Sequence, residues 1–390
     1  MKILIITPIF PPEIGGPATY TWELAHRLDE VSVIAFGDSL KPIDCAKLHQ
    51  LKVRSGYARK LPVVGSVLRQ LDLFFAVLKH GRKSDLIYLQ GPLVVGFFGG
   101  LAAKLIHRPI VMKFVGDIAW ETAHREGKTD KNLDDFLASG GGGISRMFQK
   151  SAFKRASRIV VPSQYLKDIL AKHYSVPEDK VTVIYNAVEV PFINKPKRED
   201  NTKTIVTVGR LVPHKNIAGI IEALKIVSKT QDTDSREVMR SRGSRRSDIV
   251  LRIIGEGPEG TKLRQLARDL NVDKYITFLG PLSHEETLKE IARADMLVLN
   301  SIYEGLPHTV VEAMYLRTPV LATDIPGTRE VATIQTAVLT KPNNPQDLAR
   351  NIKATLTIDN TEEAYRFVSE NFNWEKNLEQ LQEVFSSTKK

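Results

Sequence analysis

The sequence predicts an α/β protein made of two Rossmann-like domains in tandem, each with a parallel sheet. Short runs rich in Val and Ile recur along the chain, and several end in Gly, Pro, Asp or Asn, as expected for parallel strands buried on both faces. Candidate helices lie between these runs, such as ATYTWELAHRLDE and SQYLKDILAKHY. A chain of 390 residues also exceeds what one hydrophobic core usually supports, which favours two domains.

The first predicted domain spans residues 1–192. Strand and helix alternate as in a doubly wound sheet, and the candidate strands read KILIITPIF, VSVIAFG, LIYLQG, PIVMKFVGD, RIVVPS and VTVIYN. The N-terminal MKILIITPIF lacks the cleavage pattern of a signal peptide, and we interpret it as a buried first strand. The most apolar later stretch, GPLVVGFFGGLAAKLI, is shorter than the roughly 20 residues that span a bilayer, so no transmembrane helix is predicted.

The second predicted domain spans residues 203–371. It follows VEVPFINKPKREDNTK, a segment rich in proline and charge that we interpret as a linker, and its strands read TIVTVGR, IVLRIIGEG, ITFLG, MLVLNS and PVLATD. An amphipathic C-terminal helix (372–390) is predicted to return to the first domain and complete it. Residues 229–248 hold five arginines and are interpreted as a solvated insertion, with contact to an anionic surface as the alternative.

Composition and charge limit the classes of partner. The chain is 42% hydrophobic and 26% charged, as a soluble globular protein is, with a net charge of +10 and a pI near 9.4. That charge suggests an anionic partner or simply a solvated surface, and no zinc-ligand spacing, aromatic RNA-binding signature or basic zipper supports a nucleic acid. The single cysteine, Cys45, excludes an internal disulfide and fits a reducing, cytoplasmic compartment.

Two glycines follow the first strand. Gly15 and Gly16 precede a candidate helix, where backbone N–H groups can approach a phosphate and the helix N-terminus favours negative charge. The dinucleotide fingerprint G-x-G-x-x-G is absent here, and a flexible turn is an equally good interpretation.

Two cations mark a stronger candidate site in the second domain. Arg210 directly follows a strand in TVGRLVPHKN, and Lys215 stands near the start of the next helix. Ligands of α/β folds bind at the carboxyl edge of the sheet. There this pair could hold a diphosphate, the guanidinium of Arg210 through two parallel hydrogen bonds and the ammonium of Lys215 through its compact charge. Gly255 in IIGEGP lies at a second strand end on the same predicted edge.

Two glutamates eight positions apart follow the strand ADMLVLNS. Glu304 lies in the loop above the strand end, and Glu312 lies in the first turns of a helix that starts near His308. Free N–H groups of the loop and the helix start favour an anion, whereas carboxylates suit sugar hydroxyls. The anion-binding N–H groups and the carboxylates together indicate a phosphorylated sugar. Considered without the other motifs, Glu312 would only interact favourably with the helix dipole and Glu304 would be a solvated side chain.

The ordered set of motifs resembles the retaining glycosyltransferases of family four, which have the GT-B fold of two facing Rossmann-like domains. These motifs are GGP near the start, VPS at 161–163, IYNAVE at 184–189, VGRLVPHKN, GEGP, EGLPHTVVEAM and a terminal NWEKN. They extend over nearly the whole chain, and the E-x7-E spacing of Glu304 and Glu312 is the most recognisable of them.

The resemblance implies a role for each matching residue. Arg210 and Lys215 would hold the diphosphate of the donor and stabilise it as the leaving group. Glu304 would contact hydroxyls of the transferred sugar, and Glu312 would bind the ribose. The backbone around the sugar would come from Gly305, Leu306 and Pro307, and Gly16 would approach the diphosphate. No metal and no cofactor are expected, because basic residues replace the metal in this fold.

Three positions depart from the family pattern. Many relatives have a histidine where this chain has Gly116 and Asp117. Either Asp117 takes over the polar contacts to the acceptor, which makes it a candidate catalytic residue, or the role of the histidine is absent. NAV at 186–188 replaces the commoner NGV. Arg317 stands where relatives usually have a glycine in a left-handed cap, at an expected cost of about 1 kcal/mol.

The predicted function is transfer of a hexose from a nucleotide-diphosphate sugar to an acceptor hydroxyl of a saccharide or a lipid-linked saccharide. A helix that mixes cations with Leu, Val and Phe, within residues 57–83, suggests a peripheral contact with an anionic membrane on its cytoplasmic face, although a core-facing amphipathic helix explains it equally well. The rival functions are a sugar-nucleotide epimerase or phosphorylase of the same fold and, more distantly, a nucleic-acid-binding protein.

Overall fold

A computed structural model describes residues 1–13, 15–37, 40–44, 46–51, 62–194, 202–238 and 249–388. Cys45, the centre of the predicted linker and most of the arginine-rich insertion lie outside these residues. Among the described residues no helix is both long and apolar enough to cross a membrane.

The chain forms two compact units. The first contains Met1–Thr122, Leu133–Ile184 and Leu378–Lys390, and the second contains Ala123–Asn132 and Tyr185–Asn377. Each is built on a parallel sheet with intervening helices, which confirms the predicted fold class of two Rossmann-like α/β domains. The short segment Ala123–Asn132 belongs with the second unit, which no pattern in the sequence predicted.

Strands alternate with helices in both units. The strands are β1 (Ile3–Thr7), β2 (Val31–Phe36), β3 (Lys47–Leu51), β4 (Leu86–Gln90), β5 (Ile110–Lys113), β6 (Arg158–Val161), β7 (Val181–Val183), β8 (Lys203–Val208), β9 (Ile249–Ile254), β10 (Ile276–Gly280), β11 (Met296–Leu299), β12 (Val320–Thr323) and β13 (Val338–Thr340). The α-helices are α1 (Gly16–Arg27), α2 (Pro62–Gly81), α3 (Gly96–Leu105), α4 (Ile118–Arg125), α5 (Leu133–Ala138), α6 (Gly143–Arg155), α7 (Gln164–Tyr174), α8 (Ile217–Val238), α9 (Gly260–Asp269), α10 (His284–Arg293), α11 (His308–Tyr315), α12 (Pro326–Arg329), α13 (Pro345–Thr355), α14 (Thr361–Asn371) and α15 (Trp374–Thr388).

The strand order places a crevice at the centre of each sheet. Within the described residues the first sheet has the order β3-β2-β1-β4-β5-β6-β7, and the second has the order β10-β9-β8-β11-β12-β13. All pairs are parallel. The chain reverses direction across the sheet between β1 and β4 and again between β8 and β11, and such switch points are where α/β folds bind ligands.

Both faces of the second sheet are covered. Neighbouring residues of β8 point to opposite sides, so Val206 joins a core layer with Val310 and Met314, whereas Ile205 joins a layer with Ile220 and Leu224 on the other side. This double burial explains why the strands read as continuous apolar runs rather than as alternating ones.

Arg317 has the predicted left-handed backbone. Its φ is 51°, at the position after Leu316, the C-cap of α11, which confirms that the position suits glycine. The side chain offsets part of the cost, because its Nε lies 2.8 Å from Glu362 Oε2 and its guanidinium lies 3.6 Å from the centroid of the Tyr365 ring.

Two substitutions separate the backbone cost from the side-chain contacts. Arg317→Ala loses the contacts and keeps the strained backbone, whereas Arg317→Gly loses the contacts and relieves the strain. We therefore expect the glycine variant to be more stable than the alanine variant by about 1 kcal/mol in urea unfolding. Equal stability of the two variants would show that the backbone cost at this position is negligible.

Candidate functional site

The candidate site of the second unit lies at the switch point between β8 and β11. The loops that follow β9, β8 and β11 are neighbours there, because these strands are adjacent in the sheet. They carry the predicted residues Gly255, Arg210 and Glu304. The sequence prediction that these residues share one edge of a sheet therefore agrees with the observed strand order.

Glycines allow two of these loops to touch. Gly255 has φ 125°, and a Cβ atom there would lie 2.0 Å from the carbonyl oxygen of Gly209. Backbone hydrogen bonds continue past the strand ends, with Gly209 N donating to Ile254 O at 3.0 Å and Leu211 N donating to Glu256 O at 2.9 Å. Gly255 thus has a packing reason of its own, and its predicted contact with the donor stays a prediction.

The loop after β8 is hydrogen-bonded to the residues that follow β11. It forms a short 3₁₀ turn over Pro213–Lys215 and ends at Asn216, whose φ is 47°. The side-chain amide of the buried Asn300 donates to the carbonyl oxygen of Asn216 at 2.9 Å. Ile302 N donates to the carbonyl oxygen of His214 at 2.8 Å. The position of Lys215 is therefore set by the neighbouring strand end.

Lys215 and Glu304 form an ion pair at the centre of the site. Lys215 Nζ lies 2.6 Å from Glu304 Oε1, and the two side chains are 22% and 10% exposed. This pair brings together a cation suited to phosphate and a carboxylate suited to hydroxyl groups, 89 residues apart in the chain. Because the pair is partly shielded from water, removing one partner would leave the other as a costly uncompensated charge.

Arg210 is exposed beside this pair. Its charge and that of Lys215 both act on the pKa of His214, so the two cations lie within electrostatic range of one ring. The structure therefore brings Arg210, Lys215 and Glu304 into one place, as the sequence predicted. Together they present two positive charges and one carboxylate at the switch point.

Glu312 has a partner that the sequence did not reveal. It is buried on α11, and its Oε1 lies 2.9 Å from Nε2 of His284. The hydrogen bond that His284 donates to Glu312 raises the pKa of His284. His284 is the first residue of α10, which Ser283 and Glu286 fix in place with a capping box.

The loop between the two glutamates is packed rather than free. Gly305, Leu306 and Pro307 are all buried, and α11 begins at His308 without a side-chain cap from Pro307. Nδ2 of Asn186, from the IYNAVE motif, lies 2.9 Å from Nε2 of His308. That contact is a structural reason for the asparagine of this motif next to the helix start.

A pair of histidine rings was missed by the sequence reasoning. The rings of His124 and His214 have centroids 5.9 Å apart in an edge-to-face arrangement, and both side chains are buried. His124 comes from the short segment Ala123–Asn132 of the second unit. No spacing in the sequence connects residues 90 positions apart, so only the tertiary structure reveals this contact.

His214 is held neutral at physiological pH. Burial and, next in size, the Lys215 cation lower the pKa of His214 from 6.5 to about 4. Between these values the unfolded state takes up a proton that the folded state does not. Above about pH 6.5 the ring is neutral in both states, and the ionisation of His214 does not lower the free energy of unfolding. As the pH falls below that value the free energy of unfolding decreases, by about 2 kcal/mol at pH 5.

Replacing His214 with asparagine should remove this acid sensitivity. We measure the free energy of unfolding in urea at about pH 7.5 and at about pH 5. Between these two conditions we expect it to decrease by roughly 2 kcal/mol more in the wild type than in the variant. His107→Asn is the matched control, since His107 is exposed and its left-handed backbone tolerates asparagine. Identical losses for wild type and His214→Asn would contradict the assignment.

The predicted glycines of the first unit lie at its own switch point. Gly15 directly precedes α1, and a Cβ atom there would lie 2.7 Å from Ile9 Cδ1, whereas Gly16 has open space around it. Gly15 provides no side-chain cap for the helix, so the N–H groups of the first turn are not capped by it. The binding of a phosphate by Gly15 and Gly16 stays a prediction.

Asp117 is engaged in a buried network. It is fully buried, accepts a hydrogen bond from Trp120 N at 3.0 Å and from the hydroxyl of Tyr174, and lies 3.4 Å from Nε2 of Gln149. These contacts tie α4, α6 and α7 together and give the carboxylate a structural role. Its predicted contact with an acceptor stays untested.

Metal-ligating residues are not clustered in the described part of the chain. No group of three or more His, Cys, Asp or Glu side chains among those residues could hold a metal ion. Metal independence stays an expectation from the sequence, because it concerns the reaction rather than the arrangement of these side chains.

Two family models match adjacent parts of the chain. Residues 14–191 match the model described as Glycosyltransferase Family 4, and residues 191–369 match Glycosyl transferases group 1. The shared boundary at residue 191 lies next to the predicted end of the first domain.

Relatives and solved structures agree with these matches. The chain is 32% identical over 189 residues to the O-antigen chain mannosyltransferase RfbU of Salmonella typhimurium, covering 48% of each chain. It is 25% identical over 324 residues to a Campylobacter jejuni N-acetylgalactosamine-N,N'-diacetylbacillosaminyl-diphospho-undecaprenol 4-alpha-N-acetylgalactosaminyltransferase, covering 78% of this chain and 77% of that enzyme. The crystal structure of Anabaena Alr3699/HepE in complex with UDP superposes with a TM-score of 0.73 at 19% identity, covering 99% of this chain and all of that one.

The extent of these similarities differs. The chain spans about half the length of the Salmonella relative, as the 48% coverage shows. The solved structures, at 19% identity, support the fold alone, and that fold is GT-B. Both sheets of this fold are present in the chain.

Proposed function

We propose a specific reaction for this chain, which is a glycosyltransferase built from a Glycosyltransferase Family 4 domain and a Glycosyl transferases group 1 domain. It transfers a hexose from a nucleotide-diphosphate sugar to an acceptor hydroxyl, with retention of the anomeric configuration and without a metal ion. The observation that carries the proposal is the Lys215–Glu304 pair, 2.6 Å apart at the switch point of the second unit.

The charges of this site match the charges of such a reaction. The bond between the anomeric carbon and the diphosphate oxygen breaks, and its electron pair stays on the diphosphate. The acceptor oxygen forms the new bond and gives up its proton. Lys215, held by its ion pair with Glu304, and the exposed Arg210 are cations at the site where we place the leaving group, so they act where negative charge develops.

The two glutamates divide the rest of the donor between them. Glu304 accepts hydrogen bonds from hydroxyls of the sugar, surrounded by the backbone of Gly305, Leu306 and Pro307. Glu312 accepts from the ribose hydroxyls, and His284 orients its carboxylate through the 2.9 Å contact. Bound sugar hydroxyls would compete with Lys215 for Glu304, which frees the ammonium group for the diphosphate.

The acceptor that we propose is a saccharide linked to a lipid diphosphate. The name of the Campylobacter relative specifies such an acceptor, and the Salmonella relative is named for the O-antigen chain. We accordingly place the reaction in polysaccharide or glycolipid synthesis, in the cytoplasm at the face of a membrane.

Binding experiments separate the roles of the two glutamates. Glu312→Gln should weaken the binding of free nucleoside diphosphate and of nucleotide sugar alike, by about tenfold or more, because both contain the ribose. Glu304→Gln should not weaken nucleoside diphosphate binding, because it releases Lys215 from its ion pair, and it should lower turnover of the nucleotide sugar. Calorimetry with the two ligands measures the difference, and an equal effect of both variants on the free diphosphate would contradict the assignment.

A donor screen tests the proposal itself. Calorimetry with UDP-, GDP- and ADP-sugars should identify a donor, and nucleotide release should rise when a lipid-linked saccharide is added. If none of these sugars binds, the transferase proposal is wrong. Sugar interconversion without an acceptor would indicate an epimerase, and phosphate-dependent release of a sugar phosphate would indicate a phosphorylase. Salt-sensitive binding to DNA or RNA without turnover would indicate the nucleic-acid function.

A further inference from the structure

Three helices of the first unit form one layer on the same side of the sheet. α2, α3 and α6 precede β4, β5 and β6, which are adjacent strands, and right-handed connections place all three helices on one side. α3 lies in the middle. The rings of Phe97 in α3 and Phe148 in α6 are 4.6 Å apart, and Gln70 of α2 donates to the carbonyl oxygen of Val94, just before α3, at 3.0 Å.

The side of this layer that points away from the sheet is apolar. The inner side of α3 is made of small buried residues, among them Gly99 and Ala103. Outward, large apolar side chains are 39% to 69% exposed; they are Val67, Leu71, Phe75, Leu105, Ile144 and Met147. On α2 they recur every four residues and so form a stripe along one face. We call these six side chains the outer face.

The three helices that carry the outer face have an excess of positive charge. The sequence of the three helices contains seven basic residues, which are Arg69, Lys79, Lys104, Arg146, Lys150, Lys154 and Arg155, against a single acidic residue, Asp72. Lys79, Lys104, Lys150 and Lys154 are exposed. Such a combination of exposed apolar side chains and cations suits a surface that is both apolar and anionic.

A second copy of the chain suits this face poorly. A twofold interface places the same patch against itself, so the basic residues around one outer face would meet those around the other. Like charges brought together across an interface cost several kcal/mol. An anionic bilayer has no such penalty, because lipid phosphates attract the cations and the acyl boundary accepts the apolar side chains.

We propose that the outer face binds the surface of an anionic lipid bilayer. Val67, Leu71 and Phe75 enter the boundary between headgroups and acyl chains, together with Leu105, Ile144 and Met147, and the surrounding lysines contact lipid phosphates. This proposal rests on the proposed function, because a lipid-linked acceptor would lie in the same bilayer. Its test is independent of that function, because vesicle binding is measured without a sugar donor, an acceptor or turnover.

Vesicle sedimentation with the full chain tests the contact. We expect binding to vesicles of equal parts phosphatidylcholine and phosphatidylglycerol, weaker binding to phosphatidylcholine alone, and loss of binding as salt is raised. Leu71→Ser/Phe75→Ser/Ile144→Ser should weaken binding by about tenfold or more. Lys104→Gln/Lys150→Gln should weaken it by about twenty-five-fold, from a factor of about five for each cation near the surface.

Matched variants of the second unit serve as controls. Phe192 and Ile334 are more exposed than any of the outer-face residues, so these two substitutions, Phe192→Ser/Ile334→Ser, remove an apolar surface comparable to that of the triple variant. Lys274→Gln/Lys341→Gln removes two exposed charges in the same way. Both control variants should bind the anionic vesicles like the wild type.

Several results would overturn the proposal. One is equal binding to neutral and anionic vesicles, and another is equal effects of outer-face and control variants. A third is the combination of two observations: the wild type does not bind vesicles, and it forms a dimer in analytical ultracentrifugation that is lost in the triple serine variant. That result would show that the outer face binds a second copy of the chain. Nucleotide-sugar binding, measured without vesicles, is expected to be unchanged in every outer-face variant. The failure of docking therefore remains distinguishable from failure of the transferase function.

Discussion

Replacing Lys215 with alanine is expected to lower the turnover number by about two to three orders of magnitude, the usual effect of removing one group that stabilises charge in a transition state. The diphosphate gains negative charge as the sugar leaves, and Lys215 is the cation most firmly fixed at that site. Its loop is held by Asn300 and Ile302. The substitution also leaves the largely buried Glu304 without its ion-pair partner.

Three further variants sharpen this test. Lys215→Arg keeps the charge but changes its geometry, so we expect turnover between those of the wild type and the alanine variant. Glu304→Ala in the Lys215→Ala background should cost much less than it does alone, since the pair acts together. Lys274→Ala is the control, because Lys274 is exposed just before β10, at the opposite edge of the sheet. Full turnover of Lys215→Ala would contradict the proposed site.

Replacing Gly327 with alanine should disable the same site without touching a charged group. A Cβ atom at this position would lie 1.8 Å from the carbonyl oxygen of Glu304 and 2.6 Å from its carbonyl carbon. Both are backbone atoms, so no side-chain rotation can relieve the overlap. Either α12 or the loop that bears Glu304 must move, and overpacking of this kind costs about 1–3 kcal/mol or more.

The movement should appear in activity as well as in stability. A displacement of about 1 Å at a reacting group lowers rates by about a hundredfold, and we expect that loss in the turnover of Gly327→Ala. Gly260→Ala is the matched control, because its Cβ atom would meet only Leu211 Cδ1 at an ordinary 3.5 Å. Urea unfolding and nucleotide release measure both effects. Wild-type values in both assays would show that the loop does not position Glu304.

The sequence predicted the parts of the site that depend on strand ends. Arg210, Gly255 and Glu304 each follow a buried apolar run, and parallel strands bring such positions to one edge. The left-handed backbone of Arg317 was also predictable, because the end of a helix requires it. These features depend on local patterns whose physical consequences extend over only a few residues.

Other features depend on contacts between distant parts of the chain. His284 reaches Glu312 across 28 positions, and His124 faces His214, with nothing in either local pattern to indicate a partner. Asp117 follows a strand as a ligand-binding residue would, yet it is buried against Tyr174. A position at a strand end thus indicates where a side chain starts, whereas packing decides what it touches.

The chain's path through its two units limits how the protein can be divided. It passes from one unit to the other after Thr122, Asn132, Ile184 and Asn377. A fragment that stops at residue 191, the boundary of the two family matches, would lack Leu378–Lys390. Tyr88 in the first sheet would then lose its ring contact with Phe385, at 5.2 Å. Cutting the gene at the family boundary would therefore yield an incomplete first unit, and a workable half-protein needs its C-terminal segment grafted back or supplied as a peptide.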